Sequence, residues 1–291
     1  MSAEKILLAP PQPVNFANIR SMLQQRRLSV TESEEHFSEQ GFERFRLAVG
    51  ITPDERAVSQ TTISILKGKH DDPFEWDTMH SFDNLEHLTD GTIARPHPDI
   101  YRGVRSVHTI REPLIRELSK VLQPTTDDIR PILPSFFMEL KGATITSPAI
   151  AKLYACHSGA AGARGRDALD RYGAPESSPR FDNKAYVITS TYVEGYLAFY
   201  AVRPGPPRRR QIPLDRVAYN MSPIASYAIF DCAEQYRAGV CAFRNAAEWT
   251  HEEMMKVVRQ ANARYDYYQA HGHFEQEIEP SFRQSEGVDS A

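Results

Sequence analysis

The sequence predicts one α/β domain in which a central mixed β-sheet is flanked by α-helices. Three observations carry this expectation. Residues 135–141 form an apolar strand closed by Gly142. Residues 184–202 read as a β-hairpin rich in Tyr, Val, Ile and Thr around Glu194-Gly195. These extended segments alternate with long helical patterns, the order expected of a sheet covered by helices.

Composition narrows the class. At 291 residues the chain is long enough for one large domain with appendages, and 41% hydrophobic with 25% charged residues is ordinary for a globular protein. The formal charge of −4 excludes an overall basic field, so any nucleic-acid affinity must come from local clusters. Cys156, Cys232 and Cys241 form no CxxC pair, which argues against a disulfide framework and for an intracellular setting, cytoplasmic or nuclear. The apolar run Ile6 to Ala9 ends at Pro10-Pro11, too short for a signal-peptide core. No later stretch reaches the length of a membrane span, so no membrane partner is expected. GxSxG, HExxH and zinc-finger spacings are absent from the sequence, which removes hydrolases of those types.

Taken in order, residues 1–30 read as an N-terminal arm with Pro10, Pro11 and Pro13, holding at most a short helix around Ile19–Gln25. The domain proper is expected over 31–269, with 270–291 a disordered acidic tail. A helix starts near Thr31 or Ser33 and runs through Phe37, Phe42 and Phe45 to Gly50. A second is opened by Thr52-Pro53-Asp54-Glu55, with Pro and acids in its first turn, and runs through Ile63 and Leu66 to Gly68. Residues 71–98 look mostly irregular, anchored by Trp76, Phe82, Leu85 and Leu88, and Pro98-Asp99-Ile100-Tyr101 begins a short extended piece. A helix follows over 112–122, then the strand 135–141.

Ser147-Pro148 makes a good helix start, Ser as cap and Pro at the first position, for a helix reaching Tyr172-Gly173. Its Gly159, Gly162 and Gly165 match no phosphate-loop pattern and are read as letting the helix sit close to the sheet. Beyond the hairpin come a loop with Arg208-Arg209-Arg210, an extended stretch near 211–227, and two helices. The first covers 231–248; the second starts at Thr250, with Glu253 completing a capping box.

The chemistry rests on the strand 135–141. Side chains alternate across a strand, so Phe136, Met138 and Leu140 face one way and Phe137, Glu139 and Lys141 the other. An acid and a lysine beside a core are costly unless paired or bound to an ion. Magnesium takes one or two carboxylates plus waters; Glu139 supplies one, and an upstream acid on a neighbouring strand another. A lysine beside such an ion would position or activate the attacking water.

Pro98-Asp99 followed by Glu139-Leu140-Lys141 resembles the PD-(D/E)XK signature. The segments 82–92, 134–142, 159–164 and 185–192 extend the likeness to a group of fungal proteins described as PD-(D/E)XK nuclease-like, over roughly residues 50–265. The resemblance implies a restriction-endonuclease-like core of helix, three strands, helix and strand. It also implies a nuclease using Mg2+, or Mn2+, to hydrolyse phosphodiester bonds of DNA or RNA. Asp99, Glu139 and Lys141 would be catalytic, and Asp99 and Glu139 would bind metal with help from Glu55 at the start of the first core helix. Tyr154 occupies the position where related sequences commonly place a substrate-orienting glutamine. Lys152 and Arg164 on the same helix offer phosphate contacts, with a solvated helix face as the competing reading. The interval from Asp99 to Glu139 is 139 − 99 = 40 residues, so the 112–122 helix must loop out between strands. The alternative implied by the same fold is a catalytically inactive module that binds a protein or nucleic acid.

Overall fold

The structure is a computed structural model. It describes residues 12–31, 34–50, 55–68, 75–89, 91, 93–105, 109–141, 148–175, 181–206 and 217–271, with backbone only for 50 and 55–60. Six strands form one mixed sheet: β1 (Trp76–Thr78), β2 (Ile100–Val104), β3 (Ile132–Lys141), β4 (Val187–Val193), β5 (Tyr196–Gly205) and β6 (Ala218–Ala228), in that spatial order. All neighbours are antiparallel except β3 and β4. A parallel pair cannot be joined by a tight turn, and here the crossover is α6 (Pro148–Arg171), which covers one face. The other face carries α1 (Phe16–Leu23), α2 (Glu39–Gly50), α3 (Glu55–Lys67) and α7 (Ala233–His271). Two short helices, α4 (Glu112–Glu117) and α5 (Ser119–Leu122), fill the interval between β2 and β3 and meet at Leu118.

β3 is the centre of the molecule because both of its faces are apolar enough to be covered. Phe136, Met138 and Leu140 enter the core on the α7 side, where Phe136 meets Phe243 edge-on at 4.9 Å. Phe137 enters the core on the α6 side with Phe82, Tyr101 and Ala161. The alternation read from the sequence holds. So does the reading of the glycine stripe at Gly159 and Gly162, while Gly165 closes instead on the Val121 carbonyl of α5. A Cβ at Gly162 would lie 2.6 Å from the Pro134 carbonyl oxygen, and one at Gly159 would lie 2.6 Å from Thr189 Cγ2. The β4–β5 turn places Glu194 at φ 49° and Gly195 at φ 85°, the paired left-handed conformation that suits twisted hairpin strands.

Two expectations are corrected and a third is made more exact. Residues 12–31 are not a loose arm: Ile19 and Leu23 are fully buried, and Asn245 donates to the carbonyls of Met22 and Gln25. Asn15 also brackets Ala185, donating to its carbonyl at 2.7 Å and accepting from its N–H at 3.0 Å. The two closing helices are one, α7, with 39 residues. Thr250 does not cap a second helix, because its buried hydroxyl donates back to the Ala246 carbonyl at 2.9 Å. Finally, 71–98 is not wholly irregular, since Trp76–Thr78 pairs with β2 as an edge strand. Residues 1–11 and 272–291, Ser147 and Arg208–Arg210 lie outside the described residues.

Candidate active site

Register brings the sequence-predicted residues together. β2 and β3 run antiparallel with Ile100 opposite Met138, so one step further Asp99 stands across from Glu139. Residues opposite each other on paired strands share a face, here the face under α6. The Asp99 carboxylate accepts the Leu140 backbone N–H at 2.7 Å through Oδ2, and the same oxygen lies 3.2 Å from Lys141 Nζ. Asp99 and Lys141, 42 residues apart in the chain, are in direct contact.

Glu139 is 1% exposed. Its Oε1 accepts a hydrogen bond from Ser158 Oγ, on α6, at 3.1 Å. Burial, and then the neighbouring Asp99 carboxylate, push its pKa up to about 8; Lys141 and the Ser158 hydroxyl work against that rise without cancelling it. Two carboxylates thus share one lysine in a place where water is scarce, and the lysine's closest approach is to Asp99.

The remaining predicted residues separate. Tyr154 is half-exposed, and its ring centroid lies 5.7 Å from Lys141 Nζ, so it borders the site. Lys152 lies on the other flank of the first turns of α6, its Nζ 6.0 Å from the Tyr200 ring centroid. Arg164 is remote in role: its guanidinium donates to the Glu86 carbonyl and, at 3.1 Å, to the His87 carbonyl, fastening the 82–89 loop to α6. That use replaces the phosphate contact expected of it. The side chain of Glu55 lies outside the described residues; its helix α3 packs through Ile63 and Leu66 on the α7 face.

Ser158 is the residue that sequence reasoning missed. It reaches Glu139 only because the flanking small residues draw α6 onto the sheet, and a lone serine in a helix carries no sign of that. Among the described residues no group of three or more His, Cys, Asp or Glu could hold an ion together. The available donors are the carboxylates of Asp99 and Glu139. That set is too small and too hard for a structural zinc, but it fits magnesium or manganese, which complete their shells with water. Comparison with known proteins gives no matching family model, no matching curated protein and no matching solved structure.

Proposed function

We propose that the chain is a Mg2+- or Mn2+-dependent phosphodiesterase that cleaves DNA or RNA on a restriction-endonuclease-like core. The observation that carries the reading is the contact of Asp99 with Lys141 beside the buried Glu139, whose ionisation carries a cost that a cation would remove. The element order adds support: α3, β1, β2, β3, α6 and β4 follow the helix, three strands, helix and strand that the PD-(D/E)XK resemblance implies. Asp99 and Glu139 would hold the ion, which when bound supplies charge stabilisation to the phosphate and a more acidic water. Lys141, poised between Asp99 and the half-exposed Tyr154 ring, is placed to hold the attacking water or a phosphate oxygen. Ser158 fixes the orientation of Glu139.

The test has two readouts. Calorimetric titration with Mg2+ or Mn2+ gives uptake by the wild type and none by an Asp99→Ala/Glu139→Ala variant. Lys141→Ala leaves folding intact and abolishes cleavage of single- and double-stranded substrates; undiminished cleavage in that variant would overturn the assignment. A second reading, a non-catalytic nuclease-fold module, is favoured by one feature: Asp99 Oδ2 already accepts from Leu140 and Lys141. Failure of the wild type to take up either ion, even with an oligonucleotide present, selects that reading.

A further inference from the structure

The face that carries Glu139 continues beyond it. In register, Glu139 lies beside Thr191 on β4, Thr191 beside Ala198 on β5, and Ala198 beside Ser226 on β6. Lys141 continues likewise to Val193 and Tyr196. Thr191, Val193, Tyr196, Ala198 and Ser226 floor an open groove of about 810 Å³, lined also by Arg20 of α1, Lys152 of α6 and the exposed Glu194 of the hairpin turn. With strands about 4.8 Å apart, its floor runs from about 5 Å to about 14 Å from Glu139. The first turns of α6 form the junction, Tyr154 turned to Lys141 on one flank and Lys152 to Tyr200 on the other.

Its chemistry is selective. Arg20 and Lys152 are exposed, come from separate elements, and neither makes an ion pair with an acid among the described residues. Tyr196, at the hairpin turn, is 57% exposed. Two cations and one exposed tyrosine ring, against the single acid Glu194, suit a polyanion with an accessible planar face. A duplex keeps its base faces stacked and is gripped mainly through many phosphates, which this protein of formal charge −4 is poorly equipped to meet. A single strand offers bases that stack on tyrosine.

We propose that this groove binds single-stranded nucleic acid in preference to duplex, with Arg20 and Lys152 on phosphates and Tyr196 under a base. The link from groove to cleavage rests on the nuclease reading; the binding chemistry does not. The experiment is fluorescence anisotropy on the full chain, in EDTA so that nothing is cut, with a labelled single strand of about 12 nucleotides and the matching duplex. The single strand binds at least about tenfold more tightly. Arg20→Glu/Lys152→Glu lowers that affinity at least about tenfold and flattens the log-affinity against log-salt slope by about 1.4, at ~0.7 per cation. Tyr196→Ser weakens binding roughly 5- to 100-fold. All three side chains are exposed, and circular dichroism with thermal melts checks that the variants fold. Equal affinity for duplex, or an unchanged slope in the double variant, overturns the proposal. Lys141→Ala separates the two readings. Groove-dependent binding without cleavage by the wild type ends the nuclease reading and leaves the groove. Cleavage of single strands that survives intact in the groove variants ends the groove and leaves the nuclease.

Discussion

Two buried charge clusters lie on opposite faces of the same pair of strands, and the protein treats them differently. On the α7 face, Arg102 of β2 donates twice to Glu75 Oε2, at 2.7 and 3.2 Å, and lies over the Trp76 ring at 5.5 Å. His251 Nε2 stands 3.4 Å from the other Glu75 oxygen, and burial followed by Arg102 lowers the imidazole pKa, keeping it neutral. One acid meets one guanidinium, whose two donors converge on a single carboxylate oxygen while the imidazole stands at the other. On the α6 face, Asp99 and Glu139 divide a single lysine, and Glu139 is left with a hydroxyl as its donor. The difference teaches how to tell structure from site in a sheet this buried. A charge that the chain matches holds elements together, whereas one that it leaves short has room for something from outside.

The contrast can be broken experimentally, beginning where the effect is largest. Arg102→Met leaves the Glu75 carboxylate with His251 beside it and no guanidinium. Urea unfolding should show a loss of about 3 kcal/mol, discounted from a fully buried pair because Glu75 keeps some solvent, with Mg2+ uptake unchanged. If that variant lost its ion binding instead, the two clusters would not be separable.

Glu139→Gln works in the opposite direction. The folded pKa of about 8 lies above the ordinary value of 4.5. The native state therefore holds a proton that the unfolded chain releases, and stability present at pH 4.5 is lost as the pH rises through 8. Glutamine removes that loss, so the variant should be clearly more stable than the wild type at pH 9 and about equal to it at pH 4.5. Melting temperatures across that range read it directly, and parallel curves for the two proteins would show that Glu139 is not strained by its surroundings. The same substitution abolishes ion uptake, a gain in stability tied to a loss of function.

Ser158→Ala is the smallest change. It removes one donor from Glu139 without altering the sheet, and should weaken Mg2+ binding by about tenfold in calorimetry. Ser158→Thr should restore most of it. An alanine variant with wild-type affinity would show that Glu139 needs no support from α6.

What could be read beforehand followed the range of the interactions involved. The facing of β3 was legible because period-two alternation is written in seven consecutive residues, and the hairpin because Glu194-Gly195 is a local turn signal. The glycine stripe told its purpose at Gly159 and Gly162, but not at Gly165, whose closest approach is to α5. Three things were hidden. β1 has three residues, one of them Asp77, too few to show a pattern. Ile19 and Leu23, a turn apart behind a run of prolines, resemble a tail until α7 is set against them. Thr250 and Glu253 imitate a helix start, and only burial shows the threonine serving its own helix. The site was half legible. Glu139 and Lys141 share a strand, and Asp99 entered through the family resemblance. Ser158 and the loop-fastening use of Arg164 are contacts between distant parts of the chain, which no local pattern records.

The undivided α7 has a consequence for how the protein is made. At ~1.5 Å per residue its 39 residues span about 58 Å. Phe243 and Ala246 complete the core that contains Phe136 and Ile19, while Met254, Val257 and Val258 complete a second one around Leu114, Leu122 and Leu169. Neither core can close until this helix has left the ribosome. At translation rates on the order of 5–20 residues per second, its synthesis alone takes about 2–8 s, during which a finished sheet waits with one apolar face uncovered. The nascent chain therefore shows apolar surface throughout that interval, and the step that ends its exposure is the docking of a single rod.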